Sequence, residues 1–86
     1  MRLDKYLKVS RIIKRRTIAN EACDAGRVLV NGKAARASYD VKVGDILELQ
    51  LGSRNVKAEV VSVNEYVKKE AAADMYRILS DGPANL

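Results

Sequence analysis

Gly26 divides this chain into two kinds of pattern. Before it, apolar residues recur at helical spacing; after it, short β-branched runs and strict alternation take over. A change of period from 3.6 to 2 within one short chain calls for helices packed against a sheet. From Arg2 to Ser10, Leu3, Tyr6, Leu7 and Ser10 fall on one side of a helix, and Arg2, Lys5 and Lys8 on the other. From Arg15 to Ala25, Ile18, Ala19, Ala22 and Ala25 make an apolar side with Cys23 near its edge. Arg16, Asn20 and Asp24 share the polar side at i, i+4 and i+8. Gly26 ends this helix because it tolerates positive φ.

The strands follow. Val28-Leu29-Val30 is a short β run, and Asn31-Gly32 is a strong hairpin signal that lets Lys33-Ala34-Ala35 pair back. Val41 and Val43 flank Lys42, and Gly44-Asp45 makes a turn. Leu47, Leu49 and Leu51 face one way, Glu48 and Gln50 the other. Gly52 to Asn55 reads as a loop, and Val56 to Val63 as a strand rich in β-branched residues. Ala72, Met75, Tyr76 and Leu79 recur at i, i+3, i+4 and i+7, which predicts a third helix from Glu70 to Ser80, stopped by Asp81-Gly82-Pro83. The expectation is an α+β fold. One small domain would pack two N-terminal helices on a small, mainly antiparallel sheet and add a C-terminal helix. Residues 1–64 would carry the domain with its sheet extension, and residues 65–86 the last helix and a frayed tail.

The charge is lopsided. Residues 1–36 hold ten of the sixteen Lys and Arg against only Asp4, Glu21 and Asp24, a net charge of +7, while the rest of the chain sums to −2. So strong a positive end on 86 residues is the footprint of a polyanion binder, and nucleic acid is the first candidate. The absence of His and the single Cys23 argue against a zinc site and exclude His-based acid–base chemistry. Asp4, Asp45, Glu48 and Glu59 show no spacing that pairs them for catalysis, and no glycine-rich phosphate loop is present, so a non-enzymatic protein without cofactor or metal is expected. No apolar run spans a bilayer and Met1-Arg2-Leu3-Asp4 lacks a signal core, so a cytoplasmic protein with no membrane partner is expected. Cys23 reads as a packed small hydrophobe, Met75 and Tyr76 as core, and Tyr6 lies near the buried stripe.

Lys14-Arg15-Arg16-Thr17 sits at a helix start, where acids or small polar caps are preferred. A bound phosphate resolves that conflict, taken by backbone N–H groups and guanidinium forks together.

Here the residues reach a known family. Arg2-Leu3-Asp4-Lys5-Tyr6-Leu7, Arg15-Arg16-Thr17-Ile18-Ala19, the run from Ala25 to Lys33, and Val43-Gly44-Asp45 resemble the ribosomal-protein S4-type RNA-binding domain over residues 2–51. Family members often place Ser where this chain has Arg15, which cannot accept a capping hydrogen bond. Ile13 to Thr17, Ala35 to Ser38 before Asp40-Val41-Lys42, and Lys68 to Tyr76 resemble the small stand-alone members. These are of the heat-shock-fifteen type and, more closely, of the RqcP type from ribosome-associated quality control. The resemblance implies a factor that binds the obstructed large ribosomal subunit, contacts large-subunit rRNA and peptidyl-tRNA together, and supports a partner that adds alanine to stalled chains. A monomer off the ribosome is expected. The residues expected to meet RNA are Arg2 and Arg16 foremost, then Lys5, Lys8, Arg11, Lys14 and Arg15, with Arg27 and Lys33 around the Asn31-Gly32 turn. The alternatives are the same fold serving ribosome assembly or subunit recycling, and a DNA-binding module. The latter would lack a further helix to brace the first two.

Overall fold

The computed structural model describes residues 1–83. Two helices, α1 (Leu3–Val9) and α2 (Arg16–Asp24), precede strands β1 (Val28–Val30), β2 (Lys33–Ala34), β3 (Ile46–Leu51) and β4 (Arg54–Val60). A 3-10 helix (Lys69–Met75) then leads into strand β5 (Tyr76–Pro83). The five strands form one antiparallel sheet in the order β2-β1-β3-β4-β5. The α+β class and the two helices on an antiparallel sheet are as the periodicities predict.

Each local element follows from its residues. Asn31 and Gly32 both take positive φ, +52° and +85°, the geometry of a tight hairpin turn whose twist matches the flanking strands. Gly26 ends α2 at φ +74°. Along β3, Leu47 and Leu49 are buried, and along β4 so are Val56, Ala58 and Val60, so both strands present one apolar face to the helices. That face meets Leu3, Tyr6 and Leu7 from α1, and Ala19 and Cys23 from α2.

Three expectations need correction. The third helix is present only over Lys69–Met75 and is 3-10 rather than α. At three residues per turn, Ala72 and Met75 stack on one buried side. Tyr76 to Ser80, read as helix, belong to β5, and Asp81-Gly82-Pro83 continue the strand instead of stopping a helix. A register shift skips Leu79 in the β4–β5 ladder, which breaks the alternation that would have marked a strand. Second, Ile18 is half exposed and Ala25 exposed; the buried side of α2 is Ala19 and Cys23. Third, β4 takes in Arg54 and Asn55 and ends at Val60, because the Val61 and Ser62 N–H groups turn aside to the Met75 carbonyl. The frayed tail expected at residues 84–86 lies outside the described residues.

Two buried side chains fix parts of the chain that regular pairing leaves free. The buried Tyr6 hydroxyl donates to the Met75 carbonyl at 2.7 Å, tying α1 to the 3-10 helix. The Asp45 carboxylate accepts from Asn31 Nδ2 at 3.1 Å, Tyr39 Oη at 2.9 Å and the Lys42 N–H at 3.0 Å, which fixes the long connection between β2 and β3. Burial pushes the Asp45 carboxyl up, but these three donors outweigh it and hold it below the usual carboxylate range. That connection in turn positions the start of α1: the Leu3 and Asp4 N–H groups donate to the Tyr39 and Ala37 carbonyls.

We expect Leu47→Ala to lower unfolding free energy by about 2–5 kcal/mol, since it opens a cavity under a fully buried side chain. Tyr6→Phe loses only about 0.5–1.5 kcal/mol, because the Met75 carbonyl keeps the Val61 and Ser62 donors. Urea unfolding of the variants ranks the two. A depressed Asp45 pKa contributes stability that is present above its unfolded value and lost as pH falls through the folded one. Melting temperature should hold above about pH 5 and fall below about pH 4, and Asp45→Asn should make that acid limb shallower.

Candidate nucleic-acid interface

Asp4 is the only acid on α1 and lies in its first turn, yet it is 2% exposed. Its carboxylate accepts the Lys5 N–H at 2.8 Å and Asn20 Nδ2, from α2, at 3.2 Å. Arg2 Nε approaches one oxygen at 3.2 Å and Arg16 Nε the other at 3.4 Å. Burial alone would raise this carboxyl; the hydrogen bonds from Asn20, Arg2, Arg16 and the Lys5 N–H more than offset it, so it stays ionised. One buried charge thus joins the two helices and holds two guanidinium groups side by side.

Neither arginine is consumed by this contact. Their side chains remain 51% and 48% exposed, and a guanidinium carries five N–H donors. The edges turned from Asp4 face solvent, where two cations held together suit a phosphate. Arg15 occupies the cap position of α2 and makes no side-chain capping bond, and Thr17 lies inside the helix.

The other sequence-predicted residues fall into separate groups. Lys5 is half-buried and reaches Glu65 at 3.5 Å, so it is not a free cation. Lys8, Arg11 and Lys14 gather where α1 ends and share a groove with Lys68. Arg11 there adopts φ +64°, a left-handed conformation uncommon for a residue with a side chain. Lys33 adjoins the Asn31-Gly32 turn, whereas Arg27 precedes β1 at the end away from it; both are exposed. Sequence reasoning passed over Asp4 as organiser, Asn20 as its partner, and Lys68. An acid isolated among bases in a first helical turn was the available sign for Asp4; nothing local marks Lys68, which reaches the groove through the tertiary fold.

The remaining chemistry is quiet. Burial, with the charges of Asp4 and Asp24, pushes the Cys23 thiol up to about 11, so it stays protonated at neutral pH and packs as a small hydrophobe. Among the described residues no three His, Cys, Asp or Glu are grouped to hold a metal ion, and no helix is long and apolar enough to cross a membrane.

Comparison with known proteins places this arrangement. The sequence pattern of the S4 domain matches residues 1–47, which include both helices and the Asp4 cluster. The RQC P-site tRNA stabilizing factor of Streptococcus pneumoniae is 53% identical over 81 residues, covering 94% of this chain and 92% of that protein. The protein of the same name from Bacillus subtilis is also 53% identical over 81 residues and is covered to 94%. The trimeric structure of Vibrio cholerae heat shock protein 15 superposes with a TM-score of 0.86 at 27% identity, over 93% of this chain and 82% of that one. The chain belongs to the S4-domain family and, within it, to the family of the RQC P-site tRNA stabilizing factors.

Proposed function

We propose that this protein is a non-catalytic, cytoplasmic RNA-binding factor of the large ribosomal subunit. It grips rRNA phosphate with Arg2 and Arg16 and contacts peptidyl-tRNA with the remaining cations. Its role is to steady the tRNA of an obstructed subunit while a partner extends the stalled chain with alanine. The observation that carries this reading is the pair of guanidinium groups converging on buried Asp4, on the end of the chain with a net charge of +7. The names of the relatives at 53% identity, each a P-site tRNA stabilizing factor, support the step assigned.

The mechanism is electrostatic positioning. Two arginines prealigned by one carboxylate lose little conformational freedom when a phosphate docks, so more of the contact energy appears as affinity. Arg15, Lys8, Arg11 and Lys14 widen the positive field and raise the local concentration of RNA. Lys33, beside the hairpin turn, and Arg27, at the opposite end of β1, offer further contacts to RNA backbone.

Binding to purified large subunits carrying trapped peptidyl-tRNA tests this. Arg2→Ala and Arg16→Ala should each weaken association by about 1.5–3 kcal/mol, a tenfold loss or more. Lys57→Ala should change little, because Lys57 pairs with Glu48 on the sheet face turned from the helices. With about five phosphates neutralised, log K should fall with log salt at a slope of about −3.5 to −4.5. A slope near zero, or equal effects at Lys57 and Arg16, would contradict the clamp. Enrichment on immature particles lacking tRNA would move the assignment to ribosome assembly.

A further inference from the structure

The end of α1 opposite Arg2 borders a groove of about 680 Å³ that the two-arginine clamp does not use. Its other wall is the segment from Glu65 to Lys68, which the Tyr6–Met75 contact and β5 hold against α1. Lys8, Arg11, Lys14 and Lys68 line it, and none of the four has an ion-pair partner among the described residues. Glu65 is the single acid in the lining, and Lys5, from outside the groove, engages it. The groove therefore keeps four cations without an opposing charge, an arrangement that suits phosphate.

Tyr66 stands on the same wall and is 93% exposed. The other tyrosines are buried or half-buried, so Tyr66 alone presents its ring to solvent and adds nothing to the core. An open aromatic face beside unpaired cations is how proteins hold unstacked bases: the ring takes the base and the cations take the flanking phosphates. Arg11 supplies a separate indication. Its left-handed backbone would be cheaper for glycine, and strain of this kind is kept where a side chain has work to do.

We infer that this groove is a second RNA site, which takes an unpaired nucleotide with its base stacked on Tyr66 and its phosphates between Lys8, Arg11, Lys14 and Lys68. It rests on the reading of the protein as an RNA binder and adds a different ligand geometry. The Arg2–Arg16 pair meets phosphates irrespective of pairing; the Tyr66 groove needs a base out of the stack. The two sites lie at opposite ends of α1, about 9 Å apart along its axis from residue 2 to residue 8. One molecule therefore holds a folded backbone and a neighbouring unpaired nucleotide together.

The full chain is titrated with two labelled probes, a fully paired 12-base-pair RNA duplex and the same duplex with a five-nucleotide single-stranded overhang. The unaltered protein should prefer the overhang. Tyr66→Ala should abolish that preference, with a loss of about fivefold to a hundredfold on the overhang probe and none on the duplex. Tyr66→Phe should keep it, and neither substitution should alter the circular dichroism, since the side chain is exposed. Arg11→Gly should weaken overhang binding while the melting temperature holds or rises. If the duplex binds in an Arg16-dependent way and Tyr66→Ala acts equally on both probes, the groove inference fails and the clamp stands. If neither RNA binds, the broader reading fails with it. An acidic decapeptide that binds in a Tyr66-dependent way while the overhang confers no preference would also overturn the assignment.

Discussion

The Asp4 carboxylate is the contact on which the arrangement of this protein turns. A carboxylate removed from water is unfavourable unless donors surround it, and here they come from Arg2 just before α1, Lys5 in α1, and Arg16 and Asn20 in α2. The same donors that make its burial tolerable are the groups the proposed function needs. Arg2 enters from the residue before α1, Arg16 from the first turn of α2, and Asn20 from one turn further on. The backbone behind Asp4 is itself pinned, since the Leu3 and Asp4 N–H groups are held by the connection that Asp45 organises. Two buried aspartates thus act in series: one shapes the connection, the connection seats the start of α1, and the other then orients the arginines.

The sheet contributes placement rather than chemistry. Its apolar face, Leu47, Leu49, Ala58 and Val60, gives the helices a flat surface to lie on. Its far strand returns the C-terminal segment beneath the N-terminal helix, where the Tyr6 hydroxyl meets the Met75 carbonyl. That return brings Tyr66 and Lys68 beside Lys8 and Lys14. Residues more than fifty positions apart in sequence thereby form one basic groove, which no local pattern in the chain announces.

What could be read from the sequence follows the range of the forces involved. The helices, the Asn31-Gly32 hairpin and the alternation of Leu47, Leu49 and Leu51 are set by neighbouring residues, and all were legible. So was the concentration of positive charge near Arg2 and Arg16. The third helix was misread because Ala72, Met75, Tyr76 and Leu79 have helical spacing, while pairing with β4 decides the outcome and the skip at Leu79 hides the strand. Ile18 was assigned to the core from its phase alone, although only Ala19 and Cys23 of α2 are covered. Lys5 reads by helical phase as a solvent-facing cation, whereas the fold brings Glu65 within reach of it. Each miss involves a partner distant in sequence.

Asp4→Asn provides the most direct measurement of the central claim. It keeps the size of the side chain, removes the charge that aligns Arg2 and Arg16, and raises the net charge of the whole protein by one. If total positive charge governed binding, affinity for the large ribosomal subunit would hold or increase. If a prealigned pair of guanidinium groups governs it, affinity should fall by about tenfold or more while circular dichroism shows the fold retained. Binding that is unchanged or tighter in a folded Asp4→Asn protein would contradict the account.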